Sequence, residues 1–210
     1  MIRRDMIEGI TAGFILSLSL FPGTVWLARV GYAGKTDQIL AVGAGFWLSQ
    51  LLWLFFAVPG LMMMCRQLSP ISPVMYVFSA FVLVYMSFKF FRARRVGQLG
   101  LDVALPGAST LFRRAFVQSL AMPMRLPAAM AILLATGVYI NHPPEASALP
   151  RILLGVFVGV SWWWAQFSGL ALFFVKRVPE PITVKSLNKI RPFCGVLFIG
   201  LAAASLVLGL

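Results

Sequence analysis

The sequence of 210 residues has few acidic side chains and few residues that bind metals or act as nucleophiles. It contains six Asp and Glu, two cysteines and one histidine. Cys65 and Cys194 lie far apart with no CxxC motif, which excludes a disulfide framework and a zinc site. His142 stands beside two prolines in an expected loop. No paired carboxylates and no nucleophile with a base occur at a recognisable spacing, so we expect no metal, no cofactor and no enzyme activity.

Charged residues of both signs are also scarce. Only 11% of the residues are charged and 60% are hydrophobic, with a mean hydropathy of +0.89, whereas soluble domains carry about 25% charged residues. This composition excludes a soluble domain and predicts a protein of the lipid bilayer. A net charge of +12 would favour nucleic acid in a soluble protein. Here the cations lie between apolar segments, so we expect no nucleic-acid partner.

Six apolar segments are long enough to cross a bilayer, because a spanning helix needs about 20 mainly apolar residues. They lie at about 7–30, 39–64, 73–91, 115–139, 152–175 and 192–210. The first segment is not followed by a small-residue cleavage site, so we expect it to be retained. The sequence predicts an all-α integral membrane protein with six transmembrane helices.

The distribution of Lys and Arg predicts the orientation, since positive loops stay in the cytoplasm. With six spans, thirteen of these cations fall in loops one, three and five, and four fall on the opposite side. We therefore expect a multi-pass protein of the bacterial cytoplasmic (inner) membrane with a periplasmic C-terminus. Arg3 and Arg4 favour a cytoplasmic N-terminus, so a first segment that dips into the membrane and returns at Pro22-Gly23 stays open as an alternative.

A Gly- and Pro-containing linker at 96–111, expected in the cytoplasm, separates two halves of three segments each, 1–95 and 112–210. Segments one and four each contain a helix break, at Pro22-Gly23 and at Pro123, and segments two and five have glycines early and Trp and Gln later. Because each half has an odd number of spans, the second would be inverted relative to the first, which is typical of transporters. The sequence thus predicts two inverted three-helix repeats.

The paired breaks predict a substrate site between the halves. A proline inside a helix frees backbone groups that lipid cannot satisfy, so matched breaks favour a protein-lined site whose N–H groups face an anion. Arg125 follows Pro123 inside an apolar segment, and no acidic residue lies inside any segment. Three explanations of this cation stay open: binding of a substrate carboxylate, pairing with Asp5 or Glu8, and snorkelling to a headgroup.

The candidate substrate-binding residues follow from that hypothesis. Amide groups at the breaks and the guanidinium group would hold a carboxylate, and two glutamines would contact the other end of the substrate. The candidates are Pro22, Gly23, Thr24, Gln50, Pro123, Arg125 and Gln166. The alternative explanations are packing kinks for the prolines and interhelical hydrogen bonds for the glutamines.

Two further patterns predict helix packing. Gly9 with Gly13, and Gly155 with Gly159, form small-residue faces that are typical of closely packed membrane helices. For the run 162–164 of three tryptophans, we expect at least two rings to face lipid or the core.

The order of these motifs resembles the lysine exporter (LysE/RhtB-type) superfamily of bacterial amino-acid exporters over almost the whole chain. The family's Pro-Gly-Pro is matched by 22–24, which reads Pro-Gly-Thr, and its Asn-Pro-Lys by 122–124, which reads Met-Pro-Met. The resemblance implies export of amino acids or related metabolites, driven by the proton gradient. Many members have Gly-Asp in segment two where this chain has Ser49-Gln50, so the chain would be a divergent member without that carboxylate.

Together these patterns predict an inner-membrane exporter of amino acids or related small carboxylate-bearing metabolites that works by alternating access. Its partners would be a small-molecule substrate and the lipid bilayer, and a homodimer stays open. The missing carboxylate favours one rival: a non-transporting membrane scaffold or assembly subunit with the same fold.

Overall fold

The computed structural model describes residues 4–67, 72–99, 105–122, 124–138, 148–173 and 177–209, and these form helices without any strand. The helices are α1 (Arg4–Leu18), α2 (Phe21–Ala33), α3 (Thr36–Gln67), α4 (Ser72–Arg92), α5 (Ala108–Leu120), α6 (Arg125–Ala135), α7 (Leu149–Phe173) and α8 (Glu180–Gly209). The all-α prediction is confirmed. Pro123 and His142 lie outside the described residues.

Four helices, α3, α4, α7 and α8, are long and apolar enough to cross a membrane individually. The remaining four form two bent pairs, α1 with α2 at 65° and α5 with α6 at 69°, and each pair is apolar and long enough to make one more span. The chain thus has four to six candidate spans. This set of apolar helices indicates a multi-pass membrane protein.

Two boundaries differ from the sequence prediction. The first break lies at Ser19 and Leu20 rather than at Pro22-Gly23. Pro22 belongs to the first turn of α2, where the missing N–H of proline needs no partner, so this proline begins a helix instead of interrupting one. The last helix begins well before residue 192, because Pro192 is accommodated inside α8.

The most extensive helix contacts join α1 to α7 and α4 to α8. Helix α3 packs against α5, α6 and α7, while α2 lies against α3 and α7. The first helix of each bent pair therefore rests on a long helix of the other half of the chain: α1 on α7, and α5 on α3.

Glycines permit both of these contacts to be close. A Cβ on Gly13 would lie 2.5 Å from a backbone carbonyl oxygen of α7, and a Cβ on Gly155 or Gly159 would collide with the backbone of α1. A Cβ on Gly45 of α3 would lie 2.9 Å from the Cβ of Ala115 in α5. The predicted packing of the small-residue faces of α1 and α7 is confirmed.

The connections after α2, α4 and α7 meet at one end of the helix assembly, which we call the connection end. The Tyr32 hydroxyl at the end of α2 donates to the carbonyl oxygen of Val178, just before α8, at 2.8 Å. Gln38 at the start of α3 donates to a carbonyl oxygen just before α5 at 2.9 Å. At the opposite end, Asp5 in α1 pairs with Arg151 at the start of α7 at 3.3 Å.

Candidate functional site

The two helix breaks meet through the side chain of Arg125, which is the first residue of α6 and is only 6% exposed. Its Nη1 donates to the Oγ of Ser19, in the first break, at 3.0 Å. Its Nη2 lies 3.5 Å from the Sδ of Met122, in the second break. The structure therefore brings the broken regions of the two halves together at one buried guanidinium group.

Arg125 has no carboxylate partner within the part of the chain that the structure describes. The ion pairs there join Arg4 to Glu8 and Arg151 to Asp5. Pairing of Arg125 with Asp5 or Glu8 is therefore wrong, and its burial also contradicts snorkelling to a headgroup.

The surroundings of Arg125 favour an anion. A buried cation without a counter-charge is costly in a membrane. Arg125 also stands at the N-terminal, positive end of the α6 dipole, which adds to the unfavourable charge. Of the three explanations that the sequence left open, binding of an external anion is the one that the described contacts do not contradict, and it stays a prediction.

The amide groups at the start of α2 are not free. The N–H groups of Gly23 and Thr24 donate to the carbonyl oxygen of Leu20 at 2.9 and 3.2 Å, closing the first turn of α2. The prediction that these N–H groups hold a carboxylate is therefore wrong. Gly23 serves close packing instead, since a Cβ there would lie 3.2 Å from the ring of Phe46. The Thr24 hydroxyl is buried and has no hydrogen-bond partner among the described residues.

Gln50 is fully buried and joins three helices. Its Oε1 accepts hydrogen bonds from the Ser17 hydroxyl at 2.9 Å and from the Nε1 of Trp164 at 2.6 Å. Its Nε2 donates to the carbonyl oxygen of Leu16 at 3.3 Å. Gln50 therefore connects α3 to α1 and α7 immediately before the first break, where interhelical hydrogen bonding explains its presence.

Gln166 of α7 does not lie at the first break. The α7 residue that reaches Gln50 beside this break is Trp164. Gln166 is exposed. Trp164 is buried and stacks on Phe46 with ring centroids 5.3 Å apart. Trp163 is buried as well, whereas Trp162 is 60% exposed. The expectation that at least two of these rings face lipid or the core is confirmed.

A cavity of about 800 Å³, which we call the vestibule, opens at the connection end between α2, α5, the N-terminal half of α8 and the segment after α4. Its described wall contains five arginines and no acidic residue; these are Arg29, Arg94, Arg113, Arg114 and Arg191. Pro22, just after the first break, and Gln118, just before the second, also line it. The vestibule thus extends from the connection end to the neighbourhood of both breaks, and Pro22 is the candidate residue that faces it.

Sequence reasoning missed the vestibule because it counted these arginines only as a topology signal. Four of them carried a usable signal, since all except Arg94 lie inside helices rather than in the connections between them. Ser19 was also missed as the partner of Arg125, because no local pattern relates residues of two different breaks.

Comparison with protein-family models, with curated proteins and with solved structures finds no match for this chain. The resemblance to the lysine exporter superfamily therefore stays a prediction from the order of the motifs.

Proposed function

We propose that the protein is a membrane transporter that exports small carboxylate-bearing metabolites, amino acids among them, by alternating access. The observation that carries this proposal is the position of Arg125. It is a buried cation without a described counter-charge, and it bridges the two helix breaks. Residues beside both breaks, Pro22 and Gln118, line a cavity that opens at the connection end. Transporters typically bind substrate at such paired breaks between repeats.

The helix contacts support two related halves. In the two halves, α1 to α4 correspond in order to α5 to α8. Exchanging corresponding helices turns the α1–α7 contact into the α5–α3 contact and leaves the α4–α8 and α3–α7 contacts unchanged. The start of α1 lies at the end opposite to the connection after α2, which supports a first bent pair that crosses the membrane. Two halves of three crossings each would run in opposite directions, as in an inverted repeat.

The chemistry of the site follows from what surrounds Arg125. In this structure its Nη atoms contact a hydroxyl oxygen and a thioether sulfur, which are neutral acceptors. Hydrogen bonds between a guanidinium and a carboxylate are roughly twice as strong as neutral ones, so a substrate carboxylate would displace these contacts. The bound pair would also be closer to neutral than the empty site, and so less costly to hold within the membrane.

Solute counterflow in proteoliposomes tests the proposal. Liposomes that contain the purified protein are preloaded with one member of a panel of amino acids and mono-, di- and tricarboxylates, and uptake of a labelled trace of the same solute is followed. We expect protein-dependent uptake of at least one carboxylate-bearing solute and none in liposomes without protein. Absence of flux across the panel, from protein that elutes as a folded species, would contradict the proposal.

A non-transporting scaffold is the second candidate, and Gln50 is the observation that favours it. The position where the resemblance implies a carboxylate carries an amide whose oxygen and nitrogen are both hydrogen bonded within the protein. Such a residue stabilises packing and carries no proton. A stable protein partner that copurifies with the chain, together with the absence of flux, would select this candidate.

The orientation makes a separate prediction about two exposed residues at opposite ends, Arg4 and Lys35. In a background where Cys65 and Cys194 are replaced, a membrane-impermeant maleimide should label Arg4→Cys in intact cells. It should label Lys35→Cys only after permeabilisation, since positive loops stay inside. Protection of both cysteines in intact cells would support a re-entrant first segment and contradict six spans.

A further inference from the structure

The vestibule has an unusual charge for a space between membrane helices. Five guanidinium groups contribute to its wall, and none of its described lining residues is acidic. The Nε atoms of Arg29 and Arg191 are buried and have no hydrogen-bond partner in the described structure. One of the five, Arg191, donates through Nη1 to the backbone carbonyl of Arg94 at 2.5 Å. This contact orients the side chain without neutralising its charge.

Retention of positive loops in the cytoplasm does not by itself explain this arrangement. That effect accounts for the exposed arginines Arg94, Arg113 and Arg114 at the connection end, but it does not require the partly buried Arg29 and Arg191 to line the same cavity. Here α2, α5, α8 and the segment after α4 all direct arginines to one cavity. Like charges that share a partly enclosed space repel one another more strongly than they do in open water. An anion in the cavity would remove that repulsion.

The apolar part of the vestibule wall and the volume of the vestibule indicate the chemical class of that anion. Phe21, Val25, Trp26 and Val117 form apolar parts of the lining. A volume of about 800 Å³ lies within the range of small-molecule sites. The wall therefore suits an organic molecule that carries several negative groups, because each planar guanidinium can hold one carboxylate or phosphate through paired hydrogen bonds.

We infer that the vestibule binds a multiply charged organic oxyanion, a di- or tricarboxylate or a phosphate ester, and that this class is the preferred substrate. The second part rests on the proposed function. A zwitterionic amino acid would place its ammonium group among arginines with no described carboxylate to receive it. A multiply charged anion would instead be concentrated beside Pro22 and Gln118, next to the two breaks, before one of its negative groups reaches Arg125.

Tryptophan fluorescence offers a direct test, since Trp26 lines the vestibule. The protein in nanodiscs of phosphatidylcholine is titrated with citrate and with pyrophosphate, and with acetate and glycine for comparison. Trp26→Phe identifies the part of the signal that comes from the vestibule. We expect saturable responses to citrate and pyrophosphate, at concentrations at least about tenfold below any response to acetate, and weaker binding at high salt.

Variants of the chain assign the response to the arginines. The double variant Arg29→Gln/Arg191→Gln should lose most of the affinity for citrate. Arg4→Gln removes one exposed cation at the opposite end and should keep it. Equal responses to acetate and citrate, or an unchanged affinity in a double variant that elutes as a folded species, would overturn the inference.

Nanodiscs that contain cardiolipin separate the two sources of such an anion. Binding of citrate that persists in cardiolipin supports a soluble ligand. If citrate binding is lost in cardiolipin, and cardiolipin copurifies with the wild type but not with the double variant, the vestibule binds a lipid headgroup. That result would overturn the assignment of substrate. Binding of citrate without any flux would reject the transporter and keep the vestibule site. Flux of monocarboxylates without binding of citrate would keep the transporter and reject the vestibule as a site for multiply charged anions.

Discussion

Replacing Arg125 with leucine is expected to abolish counterflow while leaving the folded protein at least as stable as the wild type. The two effects have opposite signs because Arg125 is costly to the fold and necessary to the proposed site. Insertion of an arginine at the centre of a membrane helix costs about 2.5–3.5 kcal/mol, whereas insertion of an apolar residue there is favourable. Apolar replacement of a buried charged group is often neutral or stabilising.

The contacts around Arg125 make this outcome specific. The Ser19 hydroxyl donates to the carbonyl oxygen of Leu16 at 2.5 Å, so it keeps a hydrogen-bond partner when the guanidinium is removed. Met122 loses only a weak contact to its sulfur. The protein therefore loses no essential partner in the variant, and the substrate loses its proposed cation.

The measurement combines thermal unfolding with counterflow for wild type, Arg125→Leu, Arg125→Lys and Arg151→Gln. The lysine variant keeps the charge but not the paired geometry of a guanidinium, so we expect reduced but detectable flux. Arg151 lies at the start of α7, on the side of the protein opposite to the connection end, and its replacement should leave flux unchanged. Flux at the wild-type rate in Arg125→Leu would remove Arg125 from the site, and a marked loss of stability would make it a structural residue.

The second large effect is expected at the contact between α1 and α7. A Cβ on Gly159 would collide with the backbone carbonyl of Ile10, and backbone atoms cannot move aside as a flexible side chain can. Gly159→Val should therefore separate the two helices and cost about 3 kcal/mol, at the upper end of typical overpacking penalties. Helix packing in lipid depends on such close contacts, because burial of apolar surface provides no drive there.

Gly169 provides a matched control on the same helix. Among the described residues, no atom outside the helix backbone lies within 4 Å of a Cβ built on this glycine. Gly169→Val introduces the same β-branched side chain into α7, so any effect of helix propensity appears in both variants. Unfolding of the purified proteins in detergent should show a large loss of stability for Gly159→Val alone. Equal losses in the two variants would contradict the packing explanation.

Several features were predictable because they depend on local composition. The helical class and four of the spans follow from the length of the apolar runs, and close helix packing at Gly9 and Gly13 follows from the spacing of small residues. That α7 is the partner was not predicted. The presence of breaks in segments one and four followed from proline. Their placement was less predictable: proline at position 22 fits the first turn of a helix, and so the break lies before it.

Other predictions did not anticipate hydrogen bonds that are made only in the folded chain. The amides of Gly23 and Thr24 were expected to be free, yet the carbonyl of Leu20 accepts from both. Gln50 was assigned to a substrate, yet Ser17 and Trp164 occupy its side-chain oxygen. A sequence shows which groups need partners, but it does not show which partners lie within reach.

The sequence by itself determined that this protein has apolar helices, that two of its apolar segments are broken, and that a cation lies inside one of those segments. These properties depend on residue type and spacing along the chain. Only the tertiary structure decided that Arg125 contacts Ser19 across the two breaks, and that five arginines from α2, α5, α8 and the segment after α4 line one cavity. Both arrangements join residues far apart in the chain, and helix packing rather than local sequence places such residues together.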